Sequence, residues 1–182
     1  METTKYIAFL RGINIGGHNV KMERLRELFS QLGFADVRSY IQTGNIFFET
    51  TETDRAALAR KIELHLFADL GYEVPTFLRT VREVEQILRL EPFKDIEVTP
   101  DTRLFIIFIS ESLPNDLPLP LSSARGDFEI IAMTPYEAFA VMRLIDGRPG
   151  NPAALIEKTF KVKTTSRFFG TTVKILQAAK DN

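Results

Sequence analysis

Apolar and polar positions along the first half of the chain switch between two periods. Tyr6-Ile7-Ala8-Phe9-Leu10 is an unbroken apolar run, the pattern of a strand covered on both faces. Over residues 22–32, Leu25, Leu28, Phe29 and Leu32 recur at helical spacing, and Gly33 stands where such a helix would stop. Residues 37–42 and 46–49 read as strands around Thr43-Gly44-Asn45, a hairpin signal. Residues 53–70 predict the longest helix, with Leu58, Ile62 and Leu66 on one face and Gly71 after it. Residues 74–78 read as a strand whose Pro75 favours a strand start or a sheet edge. Thr80-Val81-Arg82-Glu83 has the spacing of a capping box and opens a helix through Leu90.

The resulting order, β-α-β-β-α-β and then an extra helix, is that of split βαβ, ferredoxin-like folds. The second half repeats it less regularly. Residues 104–109 form a buried strand, and Pro114, Pro118 and Pro120 oppose a regular helix across residues 113–121, where the repeat would place one. Residues 127–133 and 136–144 predict a second hairpin around Thr134-Pro135. Asn151-Pro152 is an N-cap followed by proline at the first helical position, opening a helix to about Phe160. A short strand over 164–167 and a last helix carrying Val173, Leu176 and Ala179 complete the chain. The expected fold is α+β: two ferredoxin-like subdomains of βαββαβ type, each followed by an extra helix, packed into one compact unit. The N-terminal subdomain is placed at residues 1–92 and the more divergent C-terminal one at 100–182.

Composition narrows the functions open to such a fold. The chain of 182 residues has no cysteine, which excludes disulfides, thiolate metal sites and a cysteine nucleophile. His18 and His65 are its two imidazoles, and no metal or cofactor is expected. Net charge is −1, without the broad positive field that drives non-specific nucleic-acid binding. The apolar run at 104–109 is far shorter than the ~20 residues of a membrane span. The N-terminal residues lack the profile of a signal peptide, so the expected setting is cytoplasmic. Charge is unevenly spread: residues 81–137 hold 5 basic and 11 acidic side chains, and residues 138–182 hold 8 and 3. The bland account is mutual neutralisation on solvated faces. The sharper one is a basic surface made by Lys158, Lys161, Lys163, Arg167 and Lys174.

The strongest local signal is the loop Arg11-Gly12-Ile13-Asn14-Ile15-Gly16-Gly17-His18-Asn19, between the first strand and the first helix. So many glycines cost backbone entropy, and they make sense where φ is positive or a partner approaches closely. Backbone N–H groups beside a helix start favour an anion. The loop lacks the Gly-Lys-Ser/Thr ending of a P-loop, and its spacing is not that of G-x-G-x-x-G. Split βαβ topology sets the exit of the first strand and the hairpin on the same edge of the sheet. Arg11, Asn14, His18 and Asn19 are therefore expected to converge with Gln42, Thr43 and Asn45. The candidate ligand-binding set is Arg11, Gly12, Asn14, Gly16, Gly17, His18, Asn19, Lys21, Gln42, Thr43 and Asn45. The competing account is that the asparagines merely satisfy turn backbone.

The same residues carry a resemblance. The run from Tyr6 to Asn19, then Lys21-Met22, Leu32-Gly33-Phe34 and Tyr40-Ile41-Gln42-Thr43-Gly44-Asn45, resembles the bacterial family called domain of unknown function 1697. That family's pattern runs roughly Y-I-A-L-L-R-G-I-N-V-G-G-x-N, then L-G-F, then Y-I-Q-S-G-N-V. Its closing T-x-R-N-W-N-T-V-x-K-L stretch corresponds here to residues 165–176, which keep Arg167, Thr172 and Lys174 but replace both asparagines and the tryptophan. The resemblance implies two ferredoxin-like subdomains and no activity, cofactor or substrate.

The function expected from the residues is binding of a small anionic ligand at the glycine loop and hairpin. No G-x-S-x-G, H-E-x-x-H or paired-acid motif names a catalytic residue or a reaction. One alternative is an RNA-binding module stacking bases on Tyr6, Phe47 and Phe48, disfavoured by the charge and by the missing RNA-recognition consensus. Another is an assembly role without a ligand. Monomer and homodimer both remain open.

Overall fold

The structure, a computed structural model, describes residues 2–114 and 117–181. Among them, five helices and nine strands build a mixed α+β fold with two antiparallel sheets, of four and five strands. Contacts divide the chain into two units. One holds the residues up to Gln86 together with those from Ile175 onward, and the other is Ile87–Lys174.

In the first unit the elements run β1 (Thr4–Leu10), α1 (Met22–Gln31), β2 (Ala35–Ser39), β3 (Asn45–Thr50), α2 (Arg55–Leu70) and β4 (Thr76–Thr80). The sheet order is β2-β3-β1-β4, with β1 antiparallel to both β3 and β4. Alternation along the strands turns Tyr6, Ala8, Leu10, Ile46, Phe48 and Leu78 to one face. There they pack with Leu25, Leu28 and Phe29 of α1 and Leu58, Ile62 and Leu66 of α2. The helical stripes read from the sequence are thus the buried faces.

Local chemistry marks the ends of these helices. Asp54 caps α2 by accepting the Ala57 N–H at 3.0 Å. The capping box at α3 (Val81–Arg89) is reciprocal: Thr80 Oγ1 accepts the Glu83 N–H at 3.1 Å, and Glu83 Oε2 accepts the Thr80 N–H at 2.7 Å. Arg55 donates to the other Glu83 oxygen at 2.5 Å. Burial by itself would raise the Glu83 pKa, but the Thr80 N–H and then Arg55 outweigh it and hold the carboxyl below its ordinary 4.5. A carboxyl lowered on folding contributes stability above its unfolded pKa and loses it as pH falls through the folded one. Glu83→Gln is therefore expected to flatten the stability profile below pH 4.5, by about the 1 kcal/mol of a helix cap. Denaturant midpoints of both proteins from neutral pH downward measure this.

Two strands are shifted along the chain from the sequence reading. The strand expected at 37–42 is Ala35–Ser39. It ends early because Ile41 takes a left-handed φ of +50° and the Tyr40 N–H turns to the Asn45 carbonyl at 3.1 Å. It starts early through an irregularity in its pairing with β3, where Asp36 has φ +46°. The strand expected at 74–78 begins only after Pro75, at Thr76.

In the second unit, β5 (Thr102–Ile109), β6 (Leu121–Ser122), β7 (Phe128–Met133), β8 (Glu137–Arg143) and β9 (Thr164–Phe168) order as β6-β7-β8-β5-β9. The proline-rich stretch forms no helix among its described residues, and Asn115 and Asp116 within it lie outside them. The stretch leads into β6, an edge strand the sequence reading lacks. α4 (Pro152–Phe160) opens as expected, with Asn151 accepting the Ala154 N–H at 3.0 Å. Its Ile156 packs with Ile107, Ile109, Ile130, Ala138 and Ala140.

Arg167 is not part of a basic surface. It is buried in β9, where it donates to Thr165 Oγ1 and the Ser166 carbonyl, both at 3.0 Å. Burial pulls its guanidinium pKa down to about 10. Lys158, Lys161, Lys163 and Lys174 are exposed. The last helix, α5 (Phe169–Lys180), ends in the first unit. There Arg38 of β2 donates to the carbonyls of Ala178 at 3.0 Å and Asp181 at 2.6 Å, a cation at a helix C-terminus.

Candidate functional site

The glycine loop begins where β1 ends, and backbone bonds hold that end on both sides. Leu10 N–H donates to the Gly44 carbonyl at 2.8 Å, and Arg11 N–H to the Pro75 carbonyl at 2.9 Å. The loop and the hairpin therefore meet. Asn14, at φ +58°, ties them together with one amide: its Nδ2 donates to the Gln42 carbonyl at 2.9 Å and its Oδ1 accepts the Val20 N–H at 2.7 Å. Asparagine tolerates this left-handed backbone better than most residues do.

Gly16 and Gly17 take φ of +65° and +93° in a turn closed by His18 N–H to the Ile15 carbonyl at 3.3 Å. Two successive positive φ values make a type I′ geometry. No protein atom lies within 4 Å of where either Cβ would be, so these glycines serve the turn and not a tight fit.

The candidate residues divide by exposure. Arg11, Gly16, Gly17, His18, Asn19, Lys21, Gln42 and Thr43 are exposed, and Gly12 and Asn14 are half-buried. Asn45 is fully buried, and its Nδ2 serves the Tyr40 carbonyl at 3.2 Å and Thr43 Oγ1 at 2.9 Å. Asn14 and Asn45 are thus internal ties that shape the loop and the turn. The His18 ring stacks on Tyr72, with centroids 3.7 Å apart and planes 22° from parallel.

Beside the loop lies a cavity of about 340 Å³ at the start of α1. Asn19, Lys21 and Gln42 of the candidate set line it. The rest of its wall lies outside that set: Val20, Met22, Glu23, Arg26, Ser39 and Ile41. Lys21 is the N-cap residue of α1 and makes no side-chain cap bond. Arg26 Nη1 donates to Ser39 Oγ at 2.7 Å, and its Nη2 to Glu23 at 3.1 Å. The Glu23 carboxyl is held below its usual range by its own backbone N–H at the helix start and then by Arg26. That start already attracts one carboxylate, as a helix dipole would. The signal for Arg26 was its spacing of one helical turn from Met22. Ser39 carries no signal until β2 is set beside α1.

Tyr6, Phe47 and Phe48, the aromatics of the RNA alternative, are all buried and offer no face to a base. Among the described residues, no cluster of three metal-ligating side chains occurs, and no helix is long and apolar enough to cross a membrane.

Comparison with known proteins agrees with the loop and hairpin motifs. No curated protein matches the chain. Among solved structures, the chain is similar to the conserved bacterial protein SP0830 from Streptococcus pneumoniae, with a TM-score of 0.75 and 25% identity over 98% of this chain and 100% of that one. The family described as "Protein of unknown function (DUF1697)" matches residues 3–139, three-quarters of the length, and the chain belongs to that family.

Proposed function

We propose that this protein binds a small anionic ligand at the start of α1, between the glycine loop and the 40–45 turn. The observation that carries the reading is the 340 Å³ cavity whose wall joins Lys21 and Arg26 to a helix N-terminus without a side-chain cap. Lys21 and Arg26 outnumber the one acidic side chain of the wall, Glu23, and beside a helix N-terminus they suit a phosphate or a carboxylate; the volume falls at the small end of ligand cavities, ~300–1,000 Å³. Asn14 holds the two walls in register from behind, which is the preorganisation a binding site requires. The strand orders β2-β3-β1-β4 and β7-β8-β5-β9 favour a ferredoxin-like reading of each unit, with the site at one edge of the first sheet. The cysteine-free composition suits a reducing, cytoplasmic setting.

Calorimetric titration with inorganic phosphate tests the reading. Lys21→Ala and Arg26→Ala are each expected to weaken binding by about 10-fold or more, the worth of one charge-assisted hydrogen bond. Their thermal midpoints should stay near that of the parent. Arg11→Ala separates a ligand that spans the loop, which it would weaken as strongly, from one confined to the cavity. Unchanged binding in both the Lys21 and Arg26 variants would end this assignment.

A further inference from the structure

We propose that the outer face of α2 is a self-association surface, on which a second copy of this chain packs its own α2 antiparallel. A helix on the surface of a fold ordinarily sets a charged outer face against its buried apolar stripe. α1 does so, with Glu23 and Glu27 exposed. α2 does not. Opposite its buried stripe of Leu58, Ile62 and Leu66, it turns Ala56, Ala57, Arg60, Leu64, Phe67 and Ala68 to solvent. Leu64 is 64% exposed and Phe67 50%, and their separation of three residues makes them neighbours on the helix surface. The spacing of residues 57, 60, 64 and 67 alternates three and four, the pattern of a helix–helix seam. None of the residues lining the cavity at the start of α1 belongs to α2, so this inference is independent of the anion reading.

Charge decides what covers this seam. The other charged side chains of α2 are engaged within the first unit: Arg55 with Glu83, Lys61 with Glu52, Asp69 with Arg24, and Glu63 with the Thr76 N–H. Arg60 has no such partner among the described residues. A second α2 brings it the face of a ring, in the attractive arrangement of a cation over an aromatic. Arg60 and Phe67 stand on either side of Leu64, two helical turns apart. A two-fold axis crossing the helix beside Leu64 therefore sets each Arg60 on the Phe67 of the other copy and brings the two Leu64 side chains together. The contact is made twice, as a self-complementary patch requires. Parallel packing in register would set Arg60 against Arg60, so like-charge repulsion selects the antiparallel pair. Length sets the strength. The 16 residues of α2 span about 24 Å, and at one helix width the pair buries on the order of 500 Å² over both copies. That is below the ~1,200 Å² of a stable complex, so the dimer is weak and forms with rising concentration.

Sedimentation equilibrium of the full chain over a range of concentrations tests this. The average mass is expected to climb from that of one chain toward that of two. Leu64→Glu and Phe67→Ala are each expected to weaken association by about 10-fold or more, the scale of an interface hot spot. Both should leave the unfolding midpoint of the dilute protein in place, because neither side chain belongs to the core. Direction is read separately. The chain has no cysteine, so Leu64→Cys places a single thiol beside the axis, and mild oxidation should join two copies through it. Ala57→Cys, two turns away, should stay uncoupled, whereas parallel packing would couple both. The mass of one chain at every concentration, which would leave the seam to a different protein, overturns the inference. So does association that survives Leu64→Glu, or equal coupling at residues 57 and 64.

Discussion

Replacing Gly44 by alanine is expected to lower stability by about 2–5 kcal/mol, more than any other glycine substitution in the loop and hairpin. Two costs coincide there. Gly44 has φ +74°, where a Cβ costs roughly 1–2 kcal/mol. The new Cβ would also stand 3.0 Å from Ile13 Cβ and Cγ1 and from Leu10 Cβ. Those atoms lie close to the backbone in buried side chains rather than at the ends of flexible ones, so overpacking adds roughly 1–3 kcal/mol. Gly71, with φ +78° and open space around its Cβ position, isolates the first cost. Gly71→Ala should therefore lose only about 1 kcal/mol. Denaturant midpoints of the two variants measure the difference. If they coincide, the hairpin rides on the loop more loosely than the 2.8 Å Leu10–Gly44 bond implies. The same contact bears on function, because it sets the 40–45 turn, and with it Gln42, against the glycine loop.

A second large effect is expected at Phe48. Its ring is fully buried and is the hub of an aromatic cluster, 4.4 Å from Phe34, 5.5 Å from Phe29 and 5.7 Å from Tyr6. Phe48→Ala removes those ring contacts and leaves a cavity between the sheet and α1, at a cost of about 3–5 kcal/mol. Phe67, half-exposed on α2, provides the control: its replacement by alanine should change stability by no more than about 0.5 kcal/mol. Thermal or denaturant unfolding of both variants decides it. A small loss at Phe48 would mean that the cluster repacks around the gap. A large loss means that the base-stacking role open to Phe48 from sequence alone is taken up by the core.

Elements bounded by local chemistry were legible from the chain. The Thr80–Glu83 box and Asn151-Pro152 announce helix starts because capping involves neighbours within one turn, and each makes the bond its spacing implies. Stripes such as Leu58-Ile62-Leu66 were equally plain, since burial on one side imposes a period of one turn. The limits of β2 do not follow its sequence pattern because they are set by an irregularity in its pairing with β3 and by Ile41 in a left-handed backbone, which a β-branched residue does not advertise. β6 leaves no signal in the sequence because two residues carry no period at all.

The amino-acid order by itself determined which residues enter the glycine loop, why glycine stands where consecutive positive φ values occur, and which helix and strand faces turn inward. These follow from backbone sterics and short-range periodicity, which act within a few residues. Tertiary structure alone decided that Asn14 and Asn45 serve as internal ties, that Arg167 is buried, and that Arg26 and Ser39 join Lys21 around one cavity. Hydrogen bonding and desolvation are properties of groups brought together across the sheet, so a polar side chain shows its partner only once the strands are paired.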